Sequence, residues 1–527
     1  MIPLHVCLLA LACGVQAAGR PSAFRDEPRD DLYAIPDGLL IGAGISACQS
    51  EGAWNHTDKA ESLMDHMTHF EGQTMFPDTI DVAADHFNKW EEDLRMAKDL
   101  KFTSHRFSIS WSRVLPTGDP KNPSKEGVDF YDKYINKLLE LKIEPMVTML
   151  HFDQPYELET GTKGWHHSEI IAKFVEYADF LFSKFGNRVK YWNTINEPNM
   201  YCNYFPMMMS MMGIPQEKGS NVYQCLHHMI LAQAQVYKIY ENKYKKEQNG
   251  QVGASVLLWP GVPATTNIED VMAADQFHQL LAGTFLHPVI FGDYSPTTKY
   301  LVDARTAELG LDKSRLPEFT SAEKDMLKGG VADFIAINVY SKFDVSYVGA
   351  GGNNSKPSLL GPIAADIPNV ALEGKLFDAG DESLMHDALI WLWNTYHKPI
   401  VISENGYGDQ QGAGIQDTAR AAYHSANMRS LLKTMKRFNI KVLAYYVWSL
   451  LDLFEFQAGY LQRPFGVIHV DYQNGSLNRT FKDSSKFFIA LGETKKVPLV
   501  PSSMAPNLGP GICVIGLAWL ASQFAIV

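Results

Sequence analysis

The sequence predicts an α/β protein built as a single (β/α)8 TIM barrel with long βα loops. Eight short apolar runs have the length of buried strands, and most intervals between them contain apolar residues at helical spacing. No long low-complexity linker, charge block or repeat divides the chain. Its 527 residues exceed the roughly 250 of a typical barrel, so we assign the excess to the loops that follow the strands.

The predicted strands and helices alternate along the chain. In order, the strands are Leu39–Ala47, Phe102–Ser110, Glu144–Leu150, Val189–Asn196, Val252–Trp259, Asp333–Tyr340, Pro399–Asn405 and Lys441–Leu450. The helices between them include His86–Leu100, Phe130–Leu141, Ile170–Phe185, Tyr223–Tyr244, Ser383–Tyr396 and Ala419–Phe438. The carboxyl ends of barrel strands form one bowl, where active sites lie. The polar or aromatic residues at or near these ends are Gln49, Arg106, His151, Asn196, Glu197, Asn338, Tyr340, Glu404 and Trp448.

Composition narrows the class of partner. The chain carries 47 Lys and Arg against 59 Asp and Glu, a net charge of −12, which argues against binding to nucleic acid or to an anionic membrane surface. With 46% hydrophobic and 20% charged residues it has the composition of a globular protein, not of a disordered or collagen-like one. We expect a small-molecule partner, and the oligomeric state stays open.

Both ends of the chain carry apolar segments. An N-terminal apolar run closes with small residues, which predicts a signal peptide over residues 1–17. Residues 504–527 combine a Gly/Pro-rich spacer with an apolar tail, the pattern of a glycosylphosphatidylinositol (GPI) anchor signal with Ser503 as the attachment site; an uncleaved tail is the alternative. We therefore expect a secreted protein, or one anchored at the extracellular face of the cell surface.

Three cysteines lie between these end segments. In an oxidising compartment Cys202 and Cys225 have a spacing that permits a disulfide, with Cys48 as a buried free thiol. Four sequons permit N-glycosylation, and which of them are used stays open: Asn55, Asn353, Asn474 and Asn478.

Two glutamates suggest the chemistry. Glu197 directly follows the fourth predicted strand and precedes Pro198, and Glu404 lies at the end of the seventh, one residue before its last position. In a barrel these ends face each other across the pocket. Hydrolysis of a glycosidic bond needs one carboxylic acid that protonates the departing oxygen and one carboxylate on the opposite face of the sugar. The carboxyl separation decides between retention and inversion of configuration, and the sequence does not give it.

Several motifs resemble glycoside hydrolase family 1. They are T-I-N-E-P at 194–198, I-S-E-N-G at 402–406, H-R-F-S-I-S-W-S-R at 105–113 and W-S-L-L-D-L-F-E-F at 448–456. The similarity covers residues 33–492 and points to the retaining β-glucosidases and their relatives, among them lactase-like animal enzymes and insect myrosinases, which are thioglucosidases. It implies hydrolysis of O-linked or S-linked β-glucoside-like substrates without a cofactor or a metal.

The resemblance also assigns roles to the two glutamates. It implies that Glu197 is the acid/base and Glu404 the nucleophile, with Arg106 and Tyr340 hydrogen-bonding to the nucleophile. A cation beside Glu404 keeps that carboxylate ionised, and the resulting negative charge raises the pKa of Glu197. One residue then serves as base and the other as acid at the same pH.

The resemblance further implies a sugar site. It places polar side chains around the sugar hydroxyls and Trp448 beneath the sugar ring; the polar residues are Gln49, His151, Asn196, Asn338 and Glu455. The sequence departs from the family pattern at Cys48, Phe152, Leu453 and Phe456. At Phe456 the family commonly has a Trp that donates an indole N–H, so we expect an altered choice of glycon. The methionines of segment 207–212 are predicted to line the aglycone site, with ordinary packing as the alternative.

Two other functions are considered. A catalytically silent member of the fold would bind glycosides or a protein partner, and the altered pocket positions motivate that reading. A metal-dependent hydrolase is suggested by 17 histidines and by the pairs His166–His167 and His227–His228, but no H-E-x-x-H or C-x-x-C spacing occurs. The natural substrate and the choice between O- and S-glycosides stay open.

Overall fold

A computed structural model describes residues 31–501, except 58, 71–75, 163, 212–221, 354–355, 357–359, 361, 376–380 and 457; side chains are also not described at 206–211, 362 and 375. Eight parallel strands close into a barrel in which each strand pairs with its neighbours in sequence, and the last pairs with the first. They are β1 (Leu40–Gly44), β2 (Ser104–Ser108), β3 (Glu144–Leu150), β4 (Tyr191–Ile195), β5 (Gln251–Leu257), β6 (Phe334–Asn338), β7 (Ile400–Asn405) and β8 (Val442–Trp448). The predicted fold class and all eight strands are confirmed.

Helices surround the barrel and fill its loops. The α-helices up to β5 are Ala47–Ser50, Leu63–His69, His86–Asp99, Trp111–Val114, Lys125–Glu140, Tyr156–Thr162, Glu169–Phe185, Pro198–Met211, Val222–Ile239 and Lys245–Gln248. Those after β5 are Ile268–His278, Thr284–Phe291, Pro296–Glu308, Ser321–Leu327, Leu384–Tyr396, Thr418–Phe438 and Ser485–Thr494. Short 3-10 segments lie at Gly164–His166 and Pro362–Asp366, and π segments at Tyr240–Tyr244 and Gln279–Gly283. No helix of the described ranges is long and apolar enough to cross a membrane.

The long loops carry their own small sheets. The segments that follow β5 and β6 form a three-stranded sheet from Gly261–Pro263, Lys342–Tyr347 and Val370–Lys375. After β8, Ile468–Val470 pairs antiparallel with Arg479–Phe481. The excess chain length therefore lies in loops, as the sequence predicts.

The barrel interior is filled by side chains from facing strands. Met146 lies opposite Arg106 in the register of β3 and β2, and it packs with Phe334 and Tyr446 in a small buried cluster. Gly253 makes room for this packing, because a β-carbon there would lie 2.1 Å from the ring of Phe334. This apolar floor closes one end of the barrel and leaves the polar residues at the other.

One predicted boundary is wrong in a way that matters for the site. The first strand was expected to continue to Ala47, but β1 ends at Gly44 and a short helix begins at Ala47. Ser46 caps that helix by accepting a hydrogen bond from the backbone N–H of Gln49. Gln49 therefore reaches the mouth from a helical turn.

The cysteine prediction is confirmed. Cys202 and Cys225 form a disulfide that joins helix Pro198–Met211 to helix Val222–Ile239, and Cys48 is a buried free thiol. The predicted signal peptide over 1–17 and the tail over 504–527, with Ser503, lie outside the described residues. The same holds for the side chains of segment 207–212.

Candidate active site

Glu404 receives hydrogen bonds on both carboxylate oxygens. Arg106, from β2, donates from Nη1 to Oε1 at 2.5 Å, and the Tyr340 hydroxyl, just past β6, donates to Oε2 at 2.5 Å. The side chains of Arg106 and Glu404 are almost fully buried. A buried ion pair is stable only when the remaining donors and acceptors are satisfied, and here both oxygens are engaged. The two hydrogen bonds therefore fix the position of the Glu404 carboxylate.

The guanidinium of Arg106 is itself held at three points. Nε donates to the hydroxyl of Thr148 on β3 at 3.1 Å, and Nη2 donates to Oδ1 of Asn196 at 2.7 Å. With Nη1 directed at Glu404, the planar fork has no freedom to turn. Arg106 therefore connects the strand ends that carry the two predicted catalytic glutamates.

Glu197 has different surroundings. It follows β4 with φ of 42°, in the left-handed region that non-glycine residues rarely adopt, and helix Pro198–Met211 begins directly after it. Burial, followed by the negative charge of Glu404, raises the pKa of Glu197 to about 8; a hydrogen bond from Asn338 and the charge of Arg106 act in the opposite direction. At neutral pH Glu197 is therefore a carboxylic acid.

Asn338, at the end of β6, joins the two halves of the site. Its Nδ2 donates to Oε1 of Glu197 at 2.6 Å and to Oδ1 of Asn196 at 3.0 Å. Its Oδ1 accepts a hydrogen bond from the hydroxyl of Ser403 at 2.7 Å. The amide thus bridges the neighbour of Glu404 to Glu197.

His151 lies beside these amides as a neutral imidazole. Burial, followed by the charge of Arg106, holds its pKa well below the ordinary value. Its Nε2 is 3.3 Å from Nδ2 of Asn196 and accepts that N–H, so the proton is on Nδ1, which has no hydrogen-bond partner among the described residues. The ring stacks against Trp448 at 5.8 Å between centroids.

The end of β8 and the loop that follows it lie beside His151 and this network. The indole N–H of Trp448 donates to Oε1 of Glu455 at 2.9 Å. Burial raises the pKa of Glu455 well above its ordinary value, and the charge of Glu404 adds to that effect. The ring of Phe456 packs at 5.8 Å from the ring of Phe152, so two departures from the family pattern contact each other.

Gln49 lies beside the same loop, and its side-chain amide forms hydrogen bonds with other protein groups. Nε2 donates to the backbone oxygen of Phe454 at 2.7 Å, and Oε1 accepts from the hydroxyl of Ser46 at 2.7 Å. These bonds leave one N–H of the amide for a ligand. All eleven residues predicted for the site are therefore placed. Seven join one network: Glu197, Glu404, Arg106, Tyr340, Asn196, Asn338 and His151. Beside it lie Gln49 in the short helix after β1, Trp448 at the end of β8, and Glu455 and Phe456 in the loop after β8.

Sequence reasoning missed Ser403, Thr148 and Asn405. Asn405 donates from Nδ2 to the backbone oxygen of Val339 at 2.6 Å and accepts at Oδ1 from the hydroxyl of Tyr445 at 2.5 Å, which fixes the end of β7 to the end of β6. The available signal was a polar residue within or directly after an apolar strand run, because buried polar groups need partners.

The histidine pairs that suggested a metal-dependent hydrolase do not form a metal site among the described residues. No group of three or more His, Cys, Asp or Glu side chains that could hold a metal ion occurs among them. His227 and His228, which motivated the metal hypothesis, turn to separate partners: Nδ1 of His227 bonds Tyr294, and Nδ1 of His228 bonds the backbone oxygen of Trp165.

Comparisons with known proteins agree with this geometry. The family model described as Glycosyl hydrolase family 1 matches residues 33–497. The chain is 36% identical to rat lactase/phlorizin hydrolase. That match covers 90% of this chain but only 25% of the length of the rat protein. It is 35% identical to human cytosolic beta-glucosidase over 86% of this chain and 97% of that one. The structure of an aphid myrosinase superposes with a TM-score of 0.80 at 31% identity, covering 88% of this chain and all of the other.

Proposed function

The chain belongs to glycosyl hydrolase family 1, and from that premise we propose that it is a retaining β-glycosidase acting on β-glucoside-like substrates through a covalent glycosyl-enzyme intermediate. The observation that carries the proposal is the contrast between two carboxyl groups in one network. Glu404 accepts hydrogen bonds from Arg106 and Tyr340, whereas burial keeps Glu197 protonated.

In the first step, Glu404 attacks the anomeric carbon. The carbon–oxygen bond to the aglycone breaks, and the Glu197 proton passes to the departing oxygen. Glu404 becomes a neutral glycosyl ester and Glu197 becomes a carboxylate. Arg106 and Tyr340 fix the direction of the attack, because each holds one oxygen of Glu404.

In the second step, the same residues act in reverse. Burial still favours the protonated form of Glu197, but the negative charge of Glu404, which added to that effect, has vanished with ester formation. The proton affinity of Glu197 is therefore lower than in the free protein, and its carboxylate acts as the base that takes a proton from water. The water oxygen attacks the anomeric carbon, the ester bond breaks, and Glu404 leaves as a carboxylate. Two displacements on opposite faces restore the original configuration.

The neighbouring side chains suit a sugar. His151 contacts the amide of Asn196, and Trp448 provides an aromatic surface stacked beside the imidazole. Phe456 offers no N–H, so one hydrogen bond to the glycon is absent relative to the usual Trp of the family. We therefore propose a glycon preference less strict than for glucose alone.

The leaving group is either an oxygen or a sulfur. A departing thiolate needs little help from an acid, so Glu197 is compatible with both. The superposed aphid structure is a myrosinase and the human relative is a beta-glucosidase. A panel that varies glycon and aglycone separately, with matched O- and S-linked aryl glucosides, distinguishes the two preferences by kcat/KM.

The decisive test uses azide as an external nucleophile. With Glu404→Gln, we expect hydrolysis of an aryl β-glucoside to fall by on the order of 10⁵-fold. With Glu197→Ala, azide should restore turnover and give a β-glycosyl azide. The exposed Glu493 provides a matched control, since Glu493→Gln should keep the unaltered rate.

The silent alternative is not favoured, because both glutamates and the orienting residues are in place. Equal activity of the unaltered protein and of Glu404→Gln, at several pH values and with several glycons, would overturn the catalytic proposal. An α-glycosyl azide from Glu197→Ala would overturn the assignment of roles.

We also propose that the protein is exported. The buried Cys202–Cys225 disulfide supports this, because such bonds persist in oxidising compartments. Asn55, Asn474 and Asn478 are exposed and available to glycosylation. Expression of the full chain in animal cells tests the proposal: removal of N-glycans should reduce the mass, and phosphatidylinositol-specific phospholipase should release a GPI-anchored form. Recovery in the cytosol without glycans would contradict it.

A further inference from the structure

Ser403, the residue before Glu404, donates a hydrogen bond to Asn338, which in turn donates one to Glu197. We propose that Ser403 is a positioning residue that orients and polarises the Asn338 amide and thereby sets how tightly Glu197 holds its proton. The role of Ser403 as a regulator of catalysis rests on the proposed function, whereas the protonation of Glu197 can be measured independently of it.

The amide orientations follow from donors that cannot act as acceptors. Arg106 only donates, so the atom of Asn196 that receives its Nη2 must be the carbonyl oxygen. Asn338 is 3.0 Å from that oxygen and must direct Nδ2 toward it. The second N–H of Nδ2 then points at Oε1 of Glu197 at 2.6 Å. The chain of bonds leaves Oδ1 of Asn338 on the opposite side.

Ser403 supplies the donor that this oxygen needs. Both Ser403 and Asn338 are fully buried, and the hydroxyl of Ser403 donates to Oδ1 at 2.7 Å. Without that hydroxyl the amide oxygen loses a buried partner, and the amide is held only through its nitrogen. Hydrogen bonds in a chain polarise one another, so donation to Oδ1 strengthens donation from Nδ2 to Glu197.

The direction of the effect is determined by the groups that surround Glu197. Burial and then the charge of Glu404 raise the proton affinity of Glu197, while the N–H of Asn338 and the charge of Arg106 lower it. The hydroxyl of Tyr340 faces the same space but is occupied by Glu404. Removing the Ser403 hydroxyl weakens the Asn338 contribution alone, so Glu197 retains its proton to higher pH.

The test compares Ser403→Ala, Ser403→Cys and Ser403→Thr in the full chain. Threonine keeps a hydroxyl, cysteine offers only a weak S–H donor, and alanine has none. The alkaline limb of kcat/KM for an aryl β-glucoside should move upward by about one pH unit in the alanine variant, less in the cysteine variant, and not in the threonine variant. The acid limb should stay in place in all three. An alkaline limb at the same pH in all three variants would overturn the proposal.

A second measurement needs no activity. The carboxylic C=O band of Glu197, identified by its absence in Glu197→Gln, can be titrated by difference infrared spectroscopy in each Ser403 variant. We expect the titration midpoint of Glu197 to be highest in Ser403→Ala, lower in Ser403→Cys and unshifted in Ser403→Thr. Identical midpoints in the threonine and alanine variants would overturn the proposal. If the unaltered protein hydrolyses no glycoside, the proposed function fails while this titration still decides the role of Ser403. Thermal melting monitors folding, and the cysteine variant replaces alanine if alanine does not fold.

Discussion

Glu197 and Glu404 are the same residue type in one barrel, yet their surroundings differ. Glu404 accepts hydrogen bonds from a guanidinium and a phenol, one on each oxygen. Glu197 receives an amide N–H from Asn338, and burial and the charge of Glu404 raise its pKa against the opposing charge of Arg106. Neighbouring groups, rather than residue type, therefore divide the roles of acid and base.

The two residues are also held in place by different means. Glu197 has a left-handed backbone and lies before a helix that the Cys202–Cys225 disulfide ties to the next one. Glu404 lies within β7, and Asn405 fixes that strand end to β6 through the backbone of Val339. The backbone at Glu197 is thus placed by chain geometry and a nearby disulfide, whereas the strand end that carries Glu404 is placed by a side-chain hydrogen bond.

Removing the carboxylic acid of Glu197 should change the contrast between the two carboxyls most. Glu197→Gln cannot protonate a leaving group, so kcat/KM for an alkyl β-glucoside should fall by about 10²–10⁴-fold, and much less for an aryl glucoside with an acidic phenol. In the unaltered protein kcat/KM should fall as the pH rises through about 8, because Glu197 then loses its proton, and the variant should lack this limb. Equal losses for both leaving groups would contradict the assignment.

Removing the cation should make the two carboxyls more alike. Arg106→Gln leaves the buried Glu404 carboxylate without its positive partner and without the guanidinium hydrogen bond to Oε1. We expect kcat/KM to fall by roughly 10³-fold. The exposed Arg95, changed to Gln, serves as a control that should leave kcat/KM unchanged. An unaltered kcat/KM in Arg106→Gln would show that Glu404 does not need this cation.

Removing the phenol should give a smaller change of the same sign. Tyr340→Phe deletes one hydrogen bond to a charged group, worth about 1.5–3 kcal/mol, or a fall in kcat/KM of roughly 10–100-fold. The loss should be smaller than in Arg106→Gln. A larger loss than that of the arginine variant would show that the phenol, not the cation, contributes most to holding Glu404 in its reactive position.

The smallest effect concerns the sugar and not the glutamates. Phe456→Trp introduces an indole N–H beside Phe152, and one neutral hydrogen bond is worth about 0.5–1.5 kcal/mol. Selectivity for glucoside over a glycoside with altered hydroxyls should rise by up to about 10-fold, with pH limbs unchanged. The ratio of kcat/KM values for paired aryl glycosides measures it, and an unchanged ratio would remove Phe456 as a determinant of the glycon.

The sequence was sufficient for the barrel and for the meeting of the glutamates. Strand ends converge by topology alone, so apolar runs and the polar residues behind them locate the bowl without any coordinates. The individual hydrogen bonds of the site depend on strand register, which the pattern of apolar residues does not give. The register of β7 against β6 shifts between Ile402 and Glu404, and this irregularity at Ser403 has no counterpart in an apolar run. The roles of Ser403 and Asn405 therefore required the structure.

Burial and then the charge of Glu404 raise the proton affinity of Glu197, and only the charge is removed when the glycosyl ester forms. The Glu197 carboxyl can be titrated by difference infrared spectroscopy, first in the free protein and then after Glu404 has been trapped as a 2-fluoroglycosyl ester. We expect the pKa of Glu197 to fall from about 8 to a lower value when the ester forms. An unchanged pKa, or an ester found on a residue other than Glu404, would rule out this division of roles.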